Sequence, residues 1–111
     1  MNKIISFGYK WGPPEACVED LVVDVRQIFG KNPYHDRTLR YLRGDHPLVA
    51  EDIQRTPQYA ARLSTLRGLI TEKDYETVFL GCTGGHHRSV YLANLFGKEF
   101  GVPVEHLHYD L

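Results

Sequence analysis

Hydrophobic residues along the chain fall in short blocks whose spacing switches between a period of two and a period of 3.6, the pattern of strands alternating with helices. Lys3 to Phe7 reads as a first strand, which empties into a Gly- and Pro-rich loop from Gly8 to Pro14. Leu21 to Val25 is an apolar run interrupted only by Asp24, as expected of a strand buried on both faces. Arg26 to Gly44 is loop-rich: Asn32-Pro33 disfavours helix at Asn32, and a short helical turn is expected around Thr38 to Leu42. His46-Pro47 opens a short helical segment through Ile53. Thr56-Pro57 reads as a helix start, with threonine as N-cap and proline in the first turn; Tyr59, Leu63, Leu66 and Ile70 follow at helical spacing as one apolar stripe. Thr77 to Gly81 is the next strand. Arg88 to Phe100 is a helix that buries Leu92, Leu95, Phe96 and Phe100 and stops at Gly101 and Pro103, and Val104 to His108 is the last strand.

Strand-to-helix connections of this kind predict an α/β fold: a small three-layer domain with a mostly parallel sheet and helices on both faces. The 111 residues suit one domain, 1–111, and no linker or repeat divides them. A composition of 42% hydrophobic and 24% charged residues is ordinary for a globular chain. No apolar run nears the ~18 residues that span a bilayer, and the N-terminus lacks a signal-peptide core, so a cytoplasmic location without membrane partners is expected. In parallel sheets ligands bind beyond the C-terminal ends of the strands. That directs attention to the loops after Phe7, Val25 and Gly81.

The third of these loops carries the most chemistry. Gly81-Cys82-Thr83-Gly84-Gly85-His86-His87-Arg88-Ser89 takes the chain from a strand, through two glycines, into a helix. Such a turn brings backbone N–H groups close to a ligand, and the helix adds its unpaired first-turn donors and the positive end of its dipole. Arg88 adds a planar fork suited to phosphate oxygens. The loop therefore reads as an anion cradle, with Thr83, Gly84, Gly85, His87, Arg88 and Ser89 as phosphate contacts. Lys10 is either a second positive charge or a solvated loop lysine. Asp24 and Arg26 either hydrogen-bond the ligand's hydroxyls or form a structural pair that holds their loop. His35 is a polar candidate on the second loop, whereas His46, His106 and His108 read as surface or core histidines.

The cradle also resembles a family signature. Gly81 to Tyr91 is similar to the Gly-Cys-Thr-Gly-Gly-x-His-Arg-Ser-Val-Tyr segment of the C-terminal domain of the RapZ family, the YvcJ-like nucleotide-binding proteins. Ser6 to Pro14, Val23 to Arg26, Asn32-Pro33, Asp36, Leu39-Arg40 and Gly44 resemble further blocks of that domain in the same order. The resemblance implies a phosphosugar-type pocket, favours His87 over His86 as the functional histidine, and suggests RNA binding and a homo-oligomer. The chain departs from the pattern after Asn32-Pro33, where it has Tyr34 then His35 and the family often has histidine then an aromatic. It also lacks the family's P-loop motif, so nucleotide hydrolysis is not implied.

The sequence is thus read as a standalone domain that binds a phosphorylated small molecule, a phosphosugar or nucleotide, as a sensor or regulatory module rather than an enzyme. The alternative is a cysteine-dependent phosphatase: Cys82 to Ser89 fits Cys-x-x-Gly-x-x-Arg-Ser, with Cys82 as nucleophile, Arg88 as phosphate binder, and Asp36 or Asp45 as the general acid. No cofactor is called for. His86, His87, His106 and His108 match no metal-ligand spacing, so no metal is expected. The two cysteines, Cys17 and Cys82, do not suggest a disulfide framework. A net charge of −1 offers no general attraction to nucleic acid; weak RNA binding, centred on Arg37, Arg40 and Arg43, is the expectation.

Overall fold

The computed structural model describes residues 1–111. Its four strands are β1 (Lys3–Gly8), β2 (Leu21–Asp24), β3 (Thr77–Cys82) and β4 (Val104–His106), and its α-helices are α1 (Pro47–Gln54), α2 (Tyr59–Thr71) and α3 (Arg88–Phe100). The strands form one wholly parallel sheet in the order β2-β3-β1-β4. The protein is an α/β fold, with β1 and β3 at the centre, paired from Lys3 with Thr77 to Gly8 with Cys82.

Alternation along the strands divides the apolar residues between two faces. Ile4, Val23, Val78, Leu80 and Cys82 belong to the larger core cluster, together with Val49 and Ile53 of α1, Leu66 and Ile70 of α2, and Leu92, Ala93 and Phe96 of α3. Ile5, Phe7 and Phe79 form a small second cluster, covered by Tyr9. The rings of Phe7 and Tyr9 pack edge to face, 4.8 Å between centroids, over Gly81. All three α-helices therefore draw on one face. The layer expected on the other face is a 3-10 turn, Tyr9–Trp11, with the extended chain after it. Strand order supplies the reason. The crossovers from β2 to β3 and from β3 to β4 move in the same direction along the sheet and the one from β1 to β2 moves the opposite way, so right-handed connections put α1, α2 and α3 together and the helix-poor connection opposite.

Three local expectations change. β2 is an edge strand with Val22 exposed, not a strand buried on both faces, and Val25 has left it for a 3-10 turn, Val25–Gln27. The run is apolar because it faces the core at Val23 and Val25, while Val22, on the opposite face of the edge strand, is left exposed. α2 starts two residues later than Thr56-Pro57 suggests, behind Gln58 in the left-handed conformation (φ 59°). The Thr56 N–H instead closes the end of α1 on the Ile53 carbonyl, and the Pro57 carbonyl accepts from Arg62 Nε. β4 stops at His106, short of His108. By contrast, α3 spans the expected residues and ends at Gly101 in the left-handed region (φ 66°).

Candidate functional site

β1 and β3 end side by side, and the loops that leave them are fastened together. Lys10 N donates to the Thr83 carbonyl at 2.9 Å. Gly8 has ordinary extended torsions (φ −117°, ψ 129°), yet a Cβ placed on it would lie 2.3 Å from Gly84 C and 2.6 Å from Gly85 N. Gly85, at φ +76°, turns the chain back toward α3. No backbone N–H from Thr83 to His87 donates to another backbone group, and α3 has no side-chain cap at its N-terminus. Five successive free donors at a helix N-terminus make a nest for an anion.

The nest opens into a cavity of about 270 Å³. Lys10 and Trp11 come from the turn after β1, and Asn32 and Tyr34 from the long second loop. Cys82, Thr83, Gly84, His86 and His87 come from the cradle. No carboxylate lines it. Of the residues expected from sequence, Lys10, Thr83, Gly84 and His87 meet there.

The other six are placed elsewhere. Gly85 is buried against the backbone of Gly8. Ser89 is fully buried and accepts a 3.1 Å bond from Cys82 Sγ. Arg88 is buried, with Nη1 donating to the carbonyls of Phe29 (2.7 Å) and Gly30 (3.4 Å), Nη2 reaching Thr83 Oγ1 at 3.3 Å, and Nε left without a partner. It lies behind the cradle instead of projecting its fork into the cavity. Asp24 and Arg26 pair with each other through two bonds of 2.9 Å, outside the cavity lining, and the Arg26 guanidinium sits 4.3 Å from the Tyr9 ring centroid. The Arg26 hydrogen bond is the main reason the Asp24 carboxyl is held below the usual aspartate range. His35 is exposed at the end of the 3-10 turn Pro33–His35, outside the cavity lining; its neighbours Asn32 and Tyr34 take the inward positions.

The second loop is fastened to the cradle from below. His87 Nε2 is 3.1 Å from the Leu39 carbonyl, Gly44 N donates to the His86 carbonyl at 2.8 Å, and Arg88 holds Phe29. On the far side, Arg62 Nη1 donates to the Ile28 carbonyl, and Lys31 pairs with Asp52 at 2.8 Å. Burial pushes the imidazoles of His86 and His87 below the ordinary histidine range, so both rings are neutral at pH 7.

These positions do not support the phosphatase alternative. Cys82 is buried with its Sγ directed at Ser89, Arg88 faces the Phe29 carbonyl, and Asp45 accepts from the Tyr109 hydroxyl. Arg40 and Arg43, two of the three arginines considered for RNA, are engaged locally: Arg40 Nε on the Tyr34 carbonyl and Arg43 Nε on that of Tyr109. No group of three or more His, Cys, Asp or Glu is placed to hold a metal ion, and no helix is long and apolar enough to cross a membrane.

Sequence reasoning passed over Trp11, Asn32 and Tyr34, and set His86 behind His87. The available signal was positional: each lies in a loop beyond the C-terminal end of a strand, and Trp11 and Tyr34 are large aromatics within Gly- and Pro-bearing segments, where a packed core gives them no reason to be.

Comparison with known proteins agrees with the motif. The family model described as RapZ C-terminal domain matches residues 2–111. A nucleotide-binding protein of Moorella thermoacetica is 43% identical over 117 residues, covering 93% of this chain and 38% of the relative. One of Cupriavidus pinatubonensis is 40% identical, covering 91% and 37%. One of Thermus thermophilus is 37% identical over 119 residues, covering 98% and 42%. The chain spans about two fifths of the length of these relatives.

Proposed function

The chain belongs to the RapZ C-terminal domain family, and from that premise we propose that it binds a phosphorylated small molecule, a phosphosugar or a nucleotide, and serves as a sensor or regulatory module. The observation that carries this reading is the unbroken run of free backbone donors from Thr83 to His87 at the start of α3. A phosphate dianion accepts several such bonds at once, and helix N-terminus, Lys10 and the charge of Arg88 behind Thr83 all favour it. Thr83 and Gly84 supply contacts from the loop, Lys10 closes the first side, and His86, whose Nε2 has no partner in the protein, offers a ring N–H at the other, while the His87 N–H is spent on the Leu39 carbonyl. Gly85 and Ser89 shape the loop from within, and Arg26, Asp24 and His35 support the neighbouring turns. The relatives' name, nucleotide-binding protein, accords with a phosphorylated ligand.

No cofactor or metal enters this reading. A cytoplasmic setting and self-association are proposed with it, and RNA binding is proposed to be weak, because two of the three candidate arginines are already occupied. Calorimetric titration with inorganic phosphate, a hexose phosphate and a nucleoside monophosphate tests the central claim. Saturable binding is expected, weakened on the order of tenfold in Lys10→Ala. Absence of saturable binding by every phosphorylated compound would overturn it.

A further inference from the structure

Resting on the anion-binding reading, a second question is what the remainder of the cavity takes. The cavity, of about 270 Å³, reaches beyond the cradle to Lys10, Trp11, Asn32 and Tyr34. Cys82 and His87 are almost fully buried at the floor, whereas Lys10 and Thr83 are exposed together with Trp11 and Tyr34, the last two at 45% and 49%. The two aromatics therefore share the mouth of the cavity with the proposed phosphate contacts Lys10 and Thr83.

Both aromatics are held in place. Lys10 Nζ lies 5.1 Å from the Trp11 ring centroid, and His108 packs on the same indole at 6.0 Å. The Arg40 guanidinium lies 4.8 Å from the Tyr34 ring, while its Nε bonds the Tyr34 carbonyl at 3.0 Å and Asn32 Oδ1 accepts from Tyr34 N at 3.1 Å. Tyr41 offers the contrast: it is 80% exposed and lies outside the cavity lining, an ordinary surface aromatic. Two fixed, half-exposed rings from separate loops meet at one mouth, and exposed π-faces of this kind bind flat, weakly polar faces.

We infer that Trp11 and Tyr34 are specificity-determining residues that stack on the ring of a cyclic phosphate monoester, so that the site takes ring-bearing esters in preference to acyclic ones. The shared chemistry is a ring with one apolar face; a nucleobase and a pyranose both present it, and the ligand series separates them. The probes are inorganic phosphate, glycerol 3-phosphate, a hexose 6-phosphate and a nucleoside 5′-monophosphate, titrated against the whole chain and against Trp11→Ala, Tyr34→Ala and Tyr34→Phe. At least one cyclic ester is expected to bind five- to a hundredfold tighter than glycerol 3-phosphate, the range of a single aromatic stack. Each alanine variant should lose most of that advantage, read as the ratio of its affinities for the cyclic ester and for glycerol 3-phosphate, and Tyr34→Phe should keep it. Equal binding of cyclic and acyclic esters, or an advantage that survives in both alanine variants, overturns the inference and leaves the anion site standing. Failure of every phosphate compound to bind overturns both.

Discussion

Replacing Gly8 by alanine tests whether the cradle is held by close backbone packing. The torsions at Gly8 suit any residue, so the substitution carries no conformational strain of its own and acts only through the added methyl. That methyl would sit 2.3 Å from Gly84 C and 2.6 Å from both Gly84 O and Gly85 N. Carbon contacts are comfortable at about 3.5–4.0 Å. The loop backbone must therefore retreat by roughly 1 Å, and no flexible side chain can yield in its place. Overpacking of this kind costs about 1–3 kcal/mol, or roughly 4–12 °C of melting temperature for a domain of this size. The same retreat moves the Gly84 and Gly85 donors beyond the 2.7–3.2 Å of a good hydrogen bond, and losing one charge-assisted bond weakens phosphate about ten- to a hundredfold. Gly68→Ala is the matched control: in the middle of α2, with nothing within 4 Å of its Cβ, it should stabilise by about 0.5–1 kcal/mol. Thermal unfolding read with a phosphate titration checks both. A Gly8→Ala protein that melts with the wild type and binds phosphate equally well refutes the claim of rigid contact between β1 and the cradle.

Arg88→Ala leaves the Phe29 and Gly30 carbonyls without their donor, and a destabilisation of roughly 2–4 kcal/mol is expected in chemical denaturation; an unchanged midpoint would show that the second loop does not depend on this contact. Tyr91→Phe removes the hydroxyl shared by Tyr59 and by Gln54 Nε2 and should cost about 1 kcal/mol, checked by the same titration. Burial holds the imidazoles of His86, His87, His106 and His108 below their ordinary value of 6.5, so below that pH the unfolded chain takes up protons that the folded one resists. Their contribution is complete above about pH 6.5 and is lost as pH falls further, so the melting temperature should drop between pH 7 and 5, less steeply in His87→Gln; a flat profile contradicts the assignment.

The parts of this protein that could be read from its sequence are those governed by local rules. β1, β3 and α3 follow from apolar runs, a glycine turn and a glycine stop, and the cradle falls between two of them. What could not be read depends on strand order. An apolar run such as Leu21 to Val23 looks the same at the centre of a sheet and at its edge, and only the insertion of β3 between β2 and β1 makes it an edge. Asp24 and Arg26 had two readings of equal weight, because a carboxylate and a guanidinium two residues apart suit a ligand as well as each other. Arg88 was misplaced for a related reason. Its position at the helix start was right, but its direction was decided by the Phe29 carbonyl, a residue remote in sequence. Thr56-Pro57 carried a true end signal that belonged to α1.

The surroundings of Arg88 bear on how the site answers to ionic strength. Its donors go to neutral carbonyls and a threonine hydroxyl, and none of the ion pairs includes it; the Asp24 carboxylate acts on it only from beyond ion-pair distance and is itself paired with Arg26. Burial lowers its pKa, yet a guanidinium keeps its proton at neutral pH. A full positive charge is thus fixed one side chain behind the loop, where mobile ions do not reach. Counter-ions screen exposed charges over about 8 Å at physiological salt but act far less on buried ones. Attraction of an anion to this loop will therefore fade slowly as salt is added, in contrast to a patch of surface lysines, whose pull is strongest only in dilute buffer.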